Sequence, residues 1–155
     1  MLNPASKLTH ILIGKALAET LLVGAVAVAF YINAFPPTFH GWGEVVPSSS
    51  AIAGWAVNDA SPWQRVEVQL FIDEKFVSTQ IANKPRPDVS AAGWAKDEWH
   101  GYEFSRINLS SGEHTARIYA LHQSGKGAQY TLQLLGDPIR FRVSSDGLWE
   151  RIEGR

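Results

Sequence analysis

The chain has 155 residues, 19% of them charged, a net charge of −1 and no cysteine. That length holds one ordinary domain plus a short extra element, and the charge balance offers no basic surface for nucleic acid or an anionic membrane. Without cysteine, disulfides, zinc–thiolate sites, iron–sulfur clusters and thiol nucleophiles are excluded, so any folded part must be stable through its core.

From Ile11 to Phe35 the chain reads ILIGKALAETLLVGAVAVAFYINAF, in which Lys15 and Glu19 are the only charges. A helix of this length covers about 37 Å, more than the ~30 Å hydrocarbon core of a bilayer. Pro36–Pro37 ends it, and Phe30, Tyr31 and Phe35 suit the far interface. Ala25-Val26-Ala27 and Ala27-Val28-Ala29 have the small-x-small form of a signal-peptide cleavage site. The apolar run continues past both, so an uncleaved transmembrane helix over 11–35 is expected. Lys7 and Lys15 precede or open the run, and no Lys or Arg follows it until Arg65. The positive-inside rule then places residues 1–10 in the cytoplasm and the rest outside, with the inner (cytoplasmic) membrane as the expected location.

Gly14, Ala18, Ala25 and Ala29 fall on one stripe of that helix. Small residues at such spacing let a second helix approach closely, which predicts integral-membrane protein subunits as partners within the lipid bilayer; Ala and Gly are also common in membrane helices generally. Lys15 and Glu19, four apart, are expected to pair. Glu19 also lies five residues after Gly14, which resembles the type IV pilin leader, although Lys15 stands where pilins carry an apolar residue.

Residues 36–49 read as a short linker. Beyond it, runs of period-two alternation bounded by turn residues predict an all-β sandwich over 50–145, with about seven or eight strands. The expected strands are 51–56, 65–72, 76–82, 102–109, 114–122, 130–135 and 139–143. In the second, Val66, Val68, Leu70 and Ile72 share a face. Turns are expected at Asp73–Lys75, Ser110–Gly112 and Ser124–Gly127. Residues 146–155 read as a C-terminal tail, whose last four, Ile152-Glu153-Gly154-Arg155, match the recognition sequence of a processing protease.

Several stretches in this region stand in a recognisable order. They are Gly54-Trp55-Ala56, the strand Val66–Asp73, Arg86-Pro87-Asp88-Val89, His100-Gly101-Tyr102-Glu103-Phe104, and Leu109–His114. Together they resemble a bacterial immunoglobulin-like module of cell-surface and membrane-associated proteins, over roughly residues 50–123. Glu74-Lys75 stands where that pattern usually has Asp-Gly. The resemblance implies an immunoglobulin-like sandwich used as a spacer or contact module, with no catalytic residues to carry over.

Candidate chemistry is sparse. The five histidines form no paired metal spacing. Asp97, Glu98 and His100 form an acid–histidine cluster, without a serine nucleophile in a glycine elbow. They read as a polar loop. Arg86 and Asp88, in the proline-stiffened Asn83–Val89, are expected to pair across the bend or bind neighbouring carbonyls. Trp94 and Trp99 suit either a partner or glycan surface or the sealing of a sandwich edge. The chain is therefore expected to be a non-catalytic, membrane-anchored accessory subunit of a larger membrane complex, needing no cofactor. The alternatives are a surface carbohydrate-binding or adhesion module and a pilin-like filament subunit.

Overall fold

A computed structural model describes residues 4–34, 38–124 and 129–152 of the chain. They divide into two compact units, Met1–Pro36 and Pro37–Arg155. The Pro36–Pro37 stop, the Gly125-Lys126-Gly127 turn and Glu153–Arg155 lie outside the described residues.

The first unit is a single helix, α1 (Pro4–Ala34). It starts earlier than the apolar run, with Pro4 in the first turn, where a missing N–H costs nothing. Its stretch Leu8–Tyr31 is long and apolar enough to cross a membrane. Lys15 Nζ and Glu19 Oε1 are 3.6 Å apart along it. Thr20 Oγ1 donates to the Ala16 carbonyl at 2.8 Å, which keeps the hydroxyl satisfied inside the helix.

The second unit is built from antiparallel strands. Residues 39–46, expected as linker, instead form β1 (Phe39–Val46). It pairs along its whole length with β2 (Ala51–Asn58), with Trp42 opposite Trp55 and Gly43 opposite Gly54. The inward alternation of β1 is carried by Phe39, Gly41, Gly43 and Val45. Two of those four have no side chain, so the strand period is hidden in the sequence. A 3₁₀ turn at Pro47–Ser49, followed by Ser50 at φ 46°, joins the two strands.

β3 (Glu67–Ile72) and β4 (Lys75–Ile81) form the expected hairpin, with Ile72 opposite Lys75. The two-residue loop has both Asp73 and Glu74 in left-handed backbone, at φ 49° and 65°. That is the geometry Asn-Gly or Asp-Gly normally supplies. Glu74→Gly is therefore expected to stabilise the unit by about 0.5–1 kcal/mol in chemical denaturation. The exposed ion pair between Glu74 and Arg117 offsets little of that.

After β4 come the two-residue β5 (Lys84–Pro85), the one-turn helix α2 (Pro87–Ala91) and β6 (Trp99–Phe104). β6 lies earlier than the expected 102–109. Past Phe104 the chain leaves the first sheet for the second, with Arg106 at φ 60°, and Ile107 and Leu109 pack on the core from irregular backbone. β7 (Gly112–Ser124) then pairs first with β9 (Ile139–Val143) and further along with β8 (Gln129–Leu134). Between β8 and β9 the chain breaks at Leu135–Pro138, where Gly136 sits at φ 66°. The expected tail is not a tail. Residues 149–151 form β10 (Trp149–Arg151), paired with β9, and Trp149 is buried.

One sheet has the order β1-β2-β6-β5. The other has the order β10-β9-β7-β3-β4, with β8 beside β7. Their inner faces share one core. Ile52, Ala56, Tyr102 and Phe104 come from the first sheet, and Val68, Leu70, Ile118 and Phe141 from the second. Val66, Val68, Leu70 and Ile72 are all buried, as their alternation predicts. The unit is a two-sheet, sandwich-like fold.

Candidate interaction surface

The recognisable stretches of the sequence are used up in internal contacts. Gly54 and Gly43, opposite each other, make room for the ring of Tyr102. The Tyr102 hydroxyl donates to the Trp42 carbonyl at 3.1 Å, and burial raises its pKa. Gly101 lies under Arg86: a Cβ there would come within 2.8 Å of Arg86 Cγ and 2.9 Å of the Lys84 carbonyl. Arg86 forms a two-pronged pair with Asp88, Nε to Oδ1 at 2.8 Å and Nη2 to Oδ2 at 2.7 Å. The Arg86 guanidinium holds the Asp88 carboxyl below the usual range. Val89 packs with Val57, Ala95 and Trp55 in a second, small cluster on the outer face of the first sheet. The expected Arg86–Asp88 pairing is thus present within the 84–98 segment, which β5–β6 pairing and the Val89 cluster hold against that sheet.

Asp73 and His114 belong to two different stretches and meet. His114 Nδ1 lies 2.7 Å from Asp73 Oδ2, and Nε2 lies 2.9 Å from the Ser110 carbonyl. The other Asp73 oxygen accepts from the Thr115 backbone N–H at 2.9 Å. Burial opposes protonation of His114, but the Asp73 carboxylate and the Ser110 carbonyl outweigh it and raise the pKa. The same His114 bond, partly opposed by burial, leaves the Asp73 pKa lowered. Stability from a raised histidine is complete below about pH 6.5 and is lost as pH rises through the folded value. Stability from a lowered aspartate is present above about pH 3.9 and is lost as pH falls. The stability gap between the native chain and His114→Gln should therefore be widest between about pH 4 and 6.5 and shrink above it, as read by urea titrations across pH.

The Asp97–His100 cluster is also structural. Asp97 Oδ2 accepts from Arg65 Nη2 at 3.0 Å, and His100 Nε2 lies 3.3 Å from Asp97 Oδ1 and from Arg65 Nη1. The His100 ring is fully buried, and among the described residues its Nδ1 has no hydrogen-bond partner. Burial, then the neighbouring Arg65 charge, lowers its pKa. A ring closed off in this way offers no access to a substrate. Among the described residues, no group of His, Asp and Glu has the arrangement to hold a metal ion.

Aromatic side chains remain on the outer face of the first sheet. Trp94 and Trp99 are 49% and 46% exposed. Trp94 follows α2, its backbone N–H donating to the Val89 carbonyl at 3.2 Å, and its ring lies 4.9 Å from His40 and 6.2 Å from Trp55. Trp99 opens β6 opposite Pro85, beside the Arg86 segment. Trp94, Trp99, Arg86 and Asp88 therefore do share one face. His40 and Trp42 on β1 extend it, with Trp42 also exposed. The sequence reading missed both because it took residues 36–49 for a linker. On α1, Gly14, Ala18, Ala25 and Ala29 are exposed within their own unit.

Compared with known protein families, curated proteins and solved structures, the chain matches none.

Proposed function

We propose that the chain is a single-pass protein of the inner membrane and a non-catalytic accessory subunit of a larger membrane complex. In this reading α1 packs against integral-membrane partners through Gly14, Ala18, Ala25 and Ala29, and the β unit meets partners on the extracytoplasmic side. The observation that carries it is the pairing of a membrane-length apolar helix with a fold whose distinctive polar residues are spent on internal contacts. An immunoglobulin-like assignment is supported by strand order. β1-β2-β6-β5 against β4-β3-β7 with β8 and β9 follows the A-B-E-D and C′-C-F-G order of such sandwiches. Lys7 and Lys15 on one side of the apolar run favour a cytoplasmic N-terminus.

The chain has no cysteine, so a single Trp63→Cys can report topology. A membrane-impermeant maleimide should label it in intact cells stripped of their outer barrier. Labelling only after the inner membrane is opened would reverse the orientation. Replacing Ala18 and Ala25 by leucine in the full chain should leave it in the membrane but detach its partners. Retention of the same partners would remove the helix stripe from the account.

The half-exposed Trp94 and Trp99 beside the Arg86–Asp88 pair favour carbohydrate binding as a second reading. It predicts saturable binding of the full chain to an oligosaccharide panel, weakened about tenfold or more by Trp94→Ala. No binding across the panel would leave these rings to packing or protein contact.

A further inference from the structure

The two sheets are unequal along one side. The second ends in β4, whose seven residues pair with β3. The first ends in β5, which has only two residues and meets β6 at Gly101 and Trp99. Between β4 and the irregular segment Ser105–Ser110 lies a groove of about 640 Å³.

The pairing register explains its polar lining. Val68, Leu70 and Ile72 face the core, so their partners on β4, Gln80, Ser78 and Lys75, turn the same way. Gln80 Nε2 donates to the Glu103 carbonyl at 2.9 Å, which ties the far end of β4 to β6.

The charge of the groove is one-sided. Lys75 and Arg106 line it, and among the described residues neither closes an ion pair. The one carboxylate among the lining residues is Asp73. Its two oxygens are occupied by His114 Nδ1 at 2.7 Å and the Thr115 N–H at 2.9 Å, and Lys75 contributes least to lowering its pKa. Glu74, next to Lys75 in the chain, is held by Arg117. Arg106 also sits at φ 60°, in left-handed backbone that suits glycine or asparagine. An arginine kept in such a conformation, exposed and without a partner, is the kind of local strain that accompanies binding sites.

β4 is also an open edge. Every second residue of an antiparallel strand turns its N–H and C=O away from its neighbour. An extended chain can take up those groups as an added strand, with alternate side chains entering the groove. A second copy of this chain fits poorly. The register shift opposite Leu70–Phe71 and the charge of Lys75 are features that keep an edge from pairing with itself.

We infer that this groove binds an extended acidic peptide segment of a partner protein, added as a strand on β4. Carboxylates at every second position meet Lys75 and Arg106. The residues between them lie beside Phe76, which is on the outer face against Phe71. Arg106 offers a planar fork to one carboxylate and Lys75 a point charge to another. The inference stands whether or not α1 crosses a membrane.

The test uses the full chain in a neutral detergent and a fluorescent octapeptide of alternating glutamate and valine, read by anisotropy. Saturable binding is expected. Glutamine at every glutamate, or N-methylation of every backbone amide, should each weaken it at least about tenfold. Arg106→Gly and Lys75→Gln should weaken binding of the unmodified peptide by a similar factor. Arg106→Gly should do so without lowering the melting temperature, because glycine is the better residue at φ 60°. No saturable binding would overturn the inference. So would undiminished binding by Arg106→Gly, undiminished binding of the N-methylated peptide, or an oligogalacturonate that binds more tightly and displaces the peptide.

Discussion

Gly54→Ala should unfold the β unit, with a loss of at least about 3 kcal/mol in urea denaturation. A Cβ at position 54 would sit on the Trp42 carbonyl oxygen and on the Tyr102 hydroxyl and ring. The first of these is backbone of a fully paired strand and cannot swing away. Gly43→Ala should cost less, because its Cβ would meet only side-chain ends first, Ile118 Cδ1 at 2.5 Å and the Tyr102 hydroxyl at 2.7 Å. Tyr102→Phe removes the hydroxyl bond for about 1 kcal/mol. It should not rescue Gly54→Ala, since the Trp42 carbonyl stays in place. Equal stability of Gly54→Ala and the native chain would mean that β1 and β2 are not packed over Tyr102 as described.

Trp149→Ala should cost about 3–5 kcal/mol, the range for emptying a buried aromatic site. The Trp149 ring stacks on Phe141 at 4.8 Å and 27°, and Phe141 in turn lies 5.7 Å from the His114 ring. Around it, Ser144 N donates to the Leu148 carbonyl at 2.9 Å and Ile152 N to the Arg140 carbonyl at 3.0 Å, which bring the chain end back to β9. Truncation after Ser144 should therefore be as damaging as the substitution. A truncated chain with unchanged melting would show that the end is dispensable.

The sequence was legible where side chains carry the period. Val66, Val68, Leu70 and Ile72 announce β3, and Ala116, Ile118 and Ala120 announce β7. It was not legible where the inward positions are glycine, as at Gly41 and Gly43. Nor was it legible in Ser144–Arg151, where one tryptophan does the packing of a whole strand. The Arg86–Asp88 pair followed from composition and spacing. The Asp73–His114 pair did not, because β3 and β7 become neighbours only through sheet order. β8 is the plainest case. Its alternation predicts a strand, but alternation alone does not say which face meets the core. That is decided by Gln133 reaching Phe39, a contact across 94 positions of sequence.

The buried polar clusters of the β unit are closed on themselves. His100, Asp97 and Arg65 are locked together, His114 is held by Asp73, and Arg86 by Asp88. What stays exposed on the β unit is the tryptophan face of one sheet and, on the other, Phe76, Tyr130, Leu132 and Leu134. The most direct measurement is to solubilise native membranes in a mild detergent, isolate the full chain and identify what accompanies it. The expected result is a stoichiometric set of integral-membrane proteins. Recovery of this chain alone, or of soluble glycans only, would contradict it.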